Sequence, residues 1–232
     1  MPVTLTKGPA KGLTKPVSAY AVFLDFDNTI TPFDVLDRII RRFSTTRKWV
    51  ALEEAWEAGT IGSKTCLTSQ LRGLRVTRPA LSRFLSSVPL DPSFKPLVKL
   101  LRAHGVEPVI VSDNFSFVVE HILRRHDVGG LRVYANRVRF MEGRLVPSFP
   151  YHDERCQRGC ANCKKQHITS NGASTRPVMF IGDGRSDLCA AEVADLVFAK
   201  GQLLHLLRRM GRPCIGFDNL GDLYHYVKER ER

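Results

Sequence analysis

The sequence predicts an α/β protein with a Rossmann-like parallel sheet and a helical cap inserted after the first strand. Short apolar runs, each followed by polar residues, alternate with amphipathic segments through most of the chain. Residues 31–90 are the exception, because they contain helical patterns and no strand candidate. The length of 232 residues fits one domain with an insertion of this kind.

The first strand and the inserted helices follow from local patterns. Residues 21–26 (AVFLDF) form an apolar run ending in carboxylates, which is typical of a buried parallel strand. Thr31 is expected to cap a helix that has Pro32 in its first turn. Further helices are expected over residues 46–58, 63–74 (with Ser63 as N-cap) and 79–87.

The second half of the chain alternates strands with helices. Helices are expected over 93–103 and 114–125, strands over 106–111, 178–181, 196–199 and 214–217, and a hairpin around Met141-Glu142-Gly143. Repeated strand–helix units form parallel sheets, which bind ligands at the carboxyl ends of their strands. We therefore expect the functional residues directly after these strands.

The predicted organisation has three parts: a flexible basic tail over 1–18, a core built from 19–30 and 91–232, and a helical cap over 31–90. The first twenty residues hold three lysines and no acidic residue, and they lack the apolar block of a secretory signal. A short organelle-targeting segment is the alternative interpretation of this tail.

Composition and charge narrow the classes of partner. Thirty-five Lys and Arg against 23 Asp and Glu give a net charge of +12, which favours nucleic acid, anionic membrane or phosphorylated metabolites. The basic residues are dispersed and no common nucleic-acid motif is present, which argues against nucleic acid. No apolar run approaches the roughly 20 residues of a membrane span. Six cysteines are too sparse for a disulfide scaffold and favour a cytoplasmic location.

Paired carboxylates follow the first predicted strand. Asp25 and Asp27 are separated by one residue at the end of an extended segment, so both side chains are expected to point the same way. Such a pair can divide its work between a nucleophile and a general acid/base. A turn and helix cap would explain Asp-x-Asp-x-Thr equally well if it stood alone.

Two further polar motifs follow later strands. Ser112 and Asn114 open a predicted helix, where a hydroxyl and free N–H groups can hold a phosphoryl oxygen. Asp183 and Asp187 lie in Gly-Asp-Gly-Arg-Ser-Asp, and hard oxygen ligands from two strands suit Mg²⁺. Each motif alone is a common turn, but three such motifs at successive strand ends favour one shared site.

These motifs resemble those of the haloacid dehalogenase superfamily of phosphohydrolases, specifically its phosphoserine phosphatase-like branch. FLDFDNTIT, Ser112, a lysine after the hairpin region and GDGRSD match the four motifs of the superfamily in order. The presence of Asp27 favours a phosphatase, because dehalogenases and ion-pumping ATPases of this superfamily lack an acid there. Asn28 departs from the pattern, since many relatives carry Gly at that position.

The resemblance implies roles for individual residues. Asp25 matches the nucleophile and Asp27 the acid/base, and Mg²⁺ is expected on Asp25, Asp183 and the main-chain carbonyl of Asp27. Ser112, N–H groups near Asn114, and Lys164 are expected to bind the phosphoryl oxygens. Lys164 is preferred over Lys165 because the family's lysine directly follows the last cysteine. Asp187 is expected to orient the site or to pair with the lysine.

The second half more closely resembles the 2-hydroxy-3-keto-5-methylthiopentenyl-1-phosphate phosphatases of methionine salvage. FKPLVKLL, VIVSDNF, YANRV, NCK, IGDGRSDLCAA and ADLVFAK carry this resemblance. The phosphoethanolamine/phosphocholine phosphatases are also similar, including the Cys-rich stretch before the lysine. The implied function is hydrolysis of a small phosphorylated metabolite, with phosphoserine and phosphoethanolamine/phosphocholine as alternative substrates. A phosphotransferase of the same fold is a further alternative.

Cys156, Cys160 and Cys163 form a C-x3-C-x2-C pattern, with His152 before it and His167 after it. A histidine would complete a tetrahedral zinc site, whereas reduced thiols packed in an irregular loop are the alternative. Cys66, Cys189 and Cys214 stand in apolar contexts and are expected to fill the core.

Inside the predicted cap, Asp34 matches a position where the phosphoserine phosphatase branch places a carboxylate against the substrate's amine. A first-turn acid stabilised by the helix dipole is the structural alternative. Glu53, Glu54, Arg72 and Arg75 are expected either to line the cap or to lie on a solvated helix face.

Overall fold

The computed structural model describes residues 15–171 and 176–231. Its sheet has the strand order β4-β3-β2-β1-β5-β6-β7, and every neighbouring pair is parallel except β3 and β4. The strands are β1 (Ala21–Leu24), β2 (Val109–Phe115), β3 (Arg132–Met141), β4 (Arg144–Ser148), β5 (Val178–Gly182), β6 (Leu196–Ala199) and β7 (Ile215–Gly216). The predicted α/β class is confirmed.

Ten α-helices accompany the sheet within the described residues. They are α1 (Val35–Phe43), α2 (Lys48–Glu57), α3 (Ser63–Arg72), α4 (Arg78–Leu85), α5 (Phe94–Ala103), α6 (Ser116–Arg125), α7 (Lys164–Asn171), α8 (Leu188–Ala191), α9 (Gly201–Arg209) and α10 (Leu220–Arg230). Helices α1 to α4 fall within the predicted cap, where the structure has a single isolated bridge between Ser44 and Leu74. None of the helices in the described ranges is long and apolar enough to cross a membrane.

Apolar side chains cover both faces of the sheet, because successive residues of a strand point to opposite sides. Val22 and Leu24 of β1 belong to the larger buried cluster, whereas Phe23 between them belongs to the smaller one on the other face. A sheet buried on both faces leaves its carboxyl edge as the place where polar groups can converge.

The predicted tail is shorter than expected. Val17 is fully buried in a short 3₁₀ helix (Val17–Ala19), and its N–H donates to the carboxylate of Glu231. The prediction of a flexible tail over 1–18 is therefore wrong for its last residues, which dock against the end of α10. Residues 1–14 lie outside the described ranges.

Two predicted helix caps are also wrong. Helix α1 begins at Val35 with Asp34 as N-cap, because the Asp34 carboxylate accepts from Asp37 N at 2.7 Å. Thr31 instead donates its hydroxyl to the Phe33 carbonyl oxygen at 2.8 Å. Ser63 is the first residue of α3 and not its cap, and its hydroxyl accepts from Ala161 N at 2.7 Å. That bond ties the cap to the loop before α7.

Candidate active site

The paired carboxylates stand where β1 leaves the sheet. The N–H of Asp25 donates to Ile181 O at 2.9 Å, so the pairing with β5 continues one residue beyond the strand. The chain then turns at Asn28, which has φ +53°, a left-handed conformation that Asn tolerates better than most residues. Asn28 is therefore suited to this turn without a Gly.

Lys164 forms a buried ion pair with two carboxylates. Its Nζ lies 2.6 Å from an oxygen of Asp25 and 2.6 Å from an oxygen of Asp187, and only 1% of the side chain is exposed. Lys165 is exposed. Lys164, the first residue of α7, thus reaches the carboxylates at the ends of β1 and β5. Lys165 points away from them.

Asp187 stabilises the conformation of the loop that follows β5. One of its oxygens binds Lys164, and the other accepts from Asp183 N at 2.9 Å and Gly184 N at 3.0 Å. Gly182 permits this arrangement, because a Cβ there would lie 2.5 Å from that Asp187 oxygen. With both Asp187 oxygens engaged inside the protein, Asp183 is the carboxylate that the loop presents to the cavity.

The carboxylates of this site fit a hard divalent cation. Single oxygens of Asp25, Asp183 and Asp187 all lie within 4.8 Å of one another. Burial, followed by the charges of Asp187 and Asp25, raises the pKa of Asp183 to about 9. Burial and Asp187 raise the pKa of Asp25 to about 7 despite the opposing effect of Lys164. Three carboxylates, two of them buried, thus stand against one lysine, and Mg²⁺ would balance the excess of negative charge.

Asp27 is held in a different environment. Its carboxylate accepts from Val35 N at 2.8 Å and from the Asn114 side chain at 2.9 and 3.1 Å. Burial, together with the charges of Asp34 and Asp25, raises the pKa of Asp27 well above its ordinary value. A carboxyl group whose pKa is raised by burial in this way is suited to act as a general acid.

The structure changes the expected role of Asn114. Strand β2 runs through Phe115, so Asn114 does not open a helix. Its side chain donates to Asp27 and accepts from Phe115 N, while its own N–H donates to the Ser112 hydroxyl at 3.0 Å. The predicted phosphate contact through Asn114 is therefore wrong, because these groups hold Asp27 and the end of β2.

A cavity of about 650 Å³ opens above these residues and extends under the cap. Its lining includes Asp25, Asp27, Asp183 and Lys164 from the core. It also includes five further acidic residues (Asp34, Asp37, Glu53, Glu57 and Asp113) and three basic residues (Arg41, Arg185 and Lys200). Of the four predicted cap residues only Glu53 reaches the cavity; Glu54, Arg72 and Arg75 are exposed. Ser112 is fully buried beneath the cavity, and no part of it belongs to the described lining.

Asp113 is a cavity residue that the sequence motifs did not single out. Asp113 is half-buried, and its carboxylate accepts from Asn162 N at 3.1 Å. Burial raises the pKa of Asp113 above its ordinary value. In the sequence, only its position directly after Ser112 at a strand end indicates that Asp113 belongs to the site.

The predicted zinc set is not brought together. The sulfurs that converge in the described residues are those of Cys156, Cys160 and Cys189, so Cys189 stands where Cys163 was expected. His152 Nδ1 lies 2.8 Å from the Cys160 carbonyl oxygen. His167 Nε2 lies 2.7 Å from the side-chain oxygen of Asn162. The expectation that Cys189 only fills the core is also wrong.

Taken together, the parallel sheet, the carboxylates after β1 and β5, and the buried lysine between them define a phosphatase of the haloacid dehalogenase type. The sequence profile of a family described as "Putative Phosphatase" matches residues 20–202. The chain belongs to this phosphatase family.

Individual relatives agree with this class. The chain is 28% identical to a 2-hydroxy-3-keto-5-methylthiopentenyl-1-phosphate phosphatase of Brevibacillus brevis, over 90% of this chain and 95% of that protein. It is 24% identical to the phosphoserine phosphatase of Bos taurus, over 79% and 82% of the two chains. A phosphoserine phosphatase solved as a phospho-aspartyl intermediate analogue superposes with a TM-score of 0.69 at 18% identity, covering 91% of this chain and 99% of the other.

Proposed function

We propose that the chain hydrolyses a small phosphomonoester through an aspartyl-phosphate formed on Asp25, with Mg²⁺ as cofactor. The observation that carries this proposal is the contrast between the paired acids after β1. Asp25 is in direct contact with the Lys164 ammonium, whereas Asp27 faces no cation among its bonded partners and has a strongly raised pKa. The first environment suits a carboxylate nucleophile and the second a proton donor.

In the first step, an oxygen of Asp25 attacks phosphorus and the bond from phosphorus to the leaving oxygen breaks. Asp27 gives its proton to that oxygen, so the product leaves as an alcohol. Asn114 and the N–H of Val35 hold the Asp27 carboxyl in place throughout. Lys164 stabilises the negative charge on the transferred group.

In the second step, Asp27 is an ionised carboxylate and takes a proton from water, whose oxygen attacks phosphorus. The Asp25–phosphorus bond breaks, which releases inorganic phosphate and restores both acids. Asp25, Asp183 and the carbonyl of Asp27 would hold Mg²⁺, which would offset phosphoryl charge. Asp187 positions Lys164 and the Asp183 loop. Ser112 lies outside the described lining and its hydroxyl accepts from Asn114 N, so we assign it to the support of the end of β2 and not to a phosphate contact.

The relatives guide the choice of substrate. Coverage of nearly the whole chain by the methylthiopentenyl-1-phosphate phosphatase of Brevibacillus brevis supports 2-hydroxy-3-keto-5-methylthiopentenyl-1-phosphate as the first candidate. The cytoplasmic location predicted from the sparse cysteines stays a prediction and is compatible with such a metabolite.

One feature of the cavity favours a second candidate, a phosphomonoester that carries an amine. Five acidic residues line the cavity in addition to the proposed catalytic and metal-binding acids, against Arg41, Arg185 and Lys200, and burial raises the pKa of two of the five, Asp34 and Asp113. A cationic substrate group would balance this charge, as phosphoserine or phosphoethanolamine would allow. The methylthiopentenyl ester has no amine. The cap acids would therefore bind a cationic group in the second candidate substrate and would have no such partner in the first.

Metal removal tests the proposed cofactor. We expect the purified chain to release phosphate from p-nitrophenyl phosphate and to lose activity by at least about 100-fold on exhaustive chelation. Mg²⁺ should be required to restore activity, whereas Zn²⁺ without Mg²⁺ should not restore it. Phosphate release from a panel of phosphomonoesters measures the effect and ranks the substrates. Activity that survives chelation, or a chain inactive on the whole panel, would contradict the proposal.

Asp34→Asn separates the two substrate candidates. Asn is itself a good N-cap, so the substitution removes the charge while keeping the start of α1. If Asp34 binds an ammonium group, KM for phosphoethanolamine or phosphoserine should rise about 10-fold or more, while p-nitrophenyl phosphate is spared. Glu54→Gln, at an exposed position of α2, is the matched control. Equal losses on amine-bearing and aryl substrates would show that Asp34 acts through the structure of the cap.

A further inference from the structure

Three thiols from two separate parts of the chain converge beside the active site. Cys156 and Cys160 belong to the loop between β4 and α7, and Cys189 is the second residue of α8. Their sulfur atoms all lie within 4.8 Å of one another, and Cys160 is buried. We call these three residues the thiol cluster.

The spacing of the thiol cluster suits a tetrahedral ion. Zinc–sulfur bonds of about 2.3 Å place the sulfurs of a tetrahedral site roughly 3.8 Å apart. Sulfurs already within 4.8 Å of one another need shifts of about 1 Å or less to reach that spacing. Side-chain rotation can supply such shifts, because Cys156 is only half-buried.

An ion pair lies beside the thiol cluster. Arg158 interacts with Cys189 and donates to the Glu192 carboxylate at 2.8 Å, which fixes the guanidinium beside α8. The pair brings hydrogen-bond donors to the sulfurs and adds no net charge to the site.

We propose that Cys156, Cys160 and Cys189 form a binding site for a soft divalent cation, Zn²⁺, separate from the carboxylate site for Mg²⁺. Thiolates select zinc over magnesium, which prefers oxygen ligands. Three thiolates around a dication leave one negative charge, which lies beside the Arg158–Glu192 ion pair. Binding releases the remaining thiol protons to solvent, and water takes the fourth position.

The thiol cluster lies where a bound ion would connect two segments next to the active site. Residues 149–163 belong to no helix or strand, yet this segment ends at the buried Lys164. The segment also supports the cap, since Lys64 N donates to Gly159 O at 3.2 Å and a Cβ on Gly62 would lie 2.4 Å from the same oxygen. Zinc would join this loop to α8, which begins directly after Asp187.

Metal content tests the proposal on the full chain, purified without a histidine tag and without chelator. We expect about one zinc per chain by atomic emission, which follows from a single three-thiolate site. Cys189→Ser and Cys160→Ser should lose the metal. Cys163→Ser should retain it, because Cys163 lies in the same loop but outside the thiol cluster. Zinc lost from Cys163→Ser and kept by Cys189→Ser would overturn the assignment.

Cobalt substitution of the wild-type chain tests the thiol ligands without relying on the folding of the Cys160→Ser and Cys189→Ser variants. The wild-type chain reconstituted with Co²⁺ should show an intense sulfur-to-cobalt charge-transfer band, which Cys163→Ser keeps. A wild-type chain that binds neither zinc nor cobalt would overturn the proposal. So would a disulfide between Cys160 and Cys189, found by peptide mapping of metal-free protein. None of these measurements uses a substrate, so their outcome is independent of the proposed phosphatase mechanism.

Discussion

Asp25→Asn is expected to reduce turnover by about 10⁴-fold or more, because the variant lacks the nucleophile and cannot form the covalent intermediate. The amide keeps the size of the carboxylate, so the fold should persist. Steady-state release of phosphate from p-nitrophenyl phosphate in the presence of Mg²⁺ measures the loss. An Asp25→Asn protein that still turns over would contradict the assignment of the nucleophile.

Asp27→Asn should behave differently, because it keeps the nucleophile and removes the group that activates water. Nitrophenolate leaves without needing a proton, so the first step should survive on this substrate. We expect a burst of nitrophenolate close to one equivalent of enzyme, followed by a stall. The asparagine oxygen can still accept from Val35 N, which preserves the start of α1.

Mass spectrometry of the acid-quenched Asp27→Asn protein identifies the intermediate. One added phosphoryl group is expected on the peptide that contains Asp25. A phosphoryl group on a serine or histidine would contradict the proposed roles. A burst followed by rapid transfer to added alcohol would retain Asp25 as nucleophile and support the phosphotransferase alternative.

A strand can be predicted from the sequence where its apolar run has the same bounds as its pairing with neighbouring strands. Residues 196–199 form β6 as predicted, because a short apolar run bounded by polar residues pairs with strands on both sides. At β2 the two signals conflict. Ser112-Asp113-Asn114 resembles a helix start, but pairing with β3 carries the strand to Phe115 across a register shift. The helix therefore starts at Ser116.

The site was predictable only in part, for a related reason. Carboxylates at the ends of β1 and β5 are adjacent in a parallel sheet whatever the path of the loops, so Asp25 and Asp183 could be placed together from strand positions. The partner of Cys156 and Cys160 depends on how an irregular loop crosses α8. No periodicity encodes that path, and the spacing in the sequence therefore points to Cys163 instead of Cys189.

The position of the Asp113 side chain in the cavity also depends on contacts that the local sequence does not encode. Its side chain is directed by Asn162, a residue of the irregular loop, and by the bond from the Asn136 side chain to its own carbonyl at 2.7 Å. Both contacts come from segments distant in sequence. The local sequence at the end of β2 shows that residue 113 is polar, but it does not show the direction of the Asp113 side chain.

Lys164→Met is expected to have the largest effect on stability, because it leaves Asp25 and Asp187 as buried carboxylates without their cation. Methionine keeps the apolar volume of the side chain, so the change isolates the charge. Breaking a buried ion pair by removing one partner costs about 3–5 kcal/mol of the free energy of unfolding. Lys165→Met, at the exposed neighbouring position, should stay within about 0.5 kcal/mol of wild type.

Urea unfolding of both variants, with and without Mg²⁺, measures the difference. Mg²⁺ binds the folded carboxylates only, so saturating Mg²⁺ should recover part of the loss in Lys164→Met. Lys164→Met combined with Asp187→Asn should lose less than the sum of the two single changes, because the second removes one of the uncompensated charges. A Lys164→Met protein as stable as Lys165→Met would show that the ion pair contributes no net stability. Additive losses in the double variant would show that Lys164 and Asp187 are not energetically coupled, contrary to the 2.6 Å contact between them.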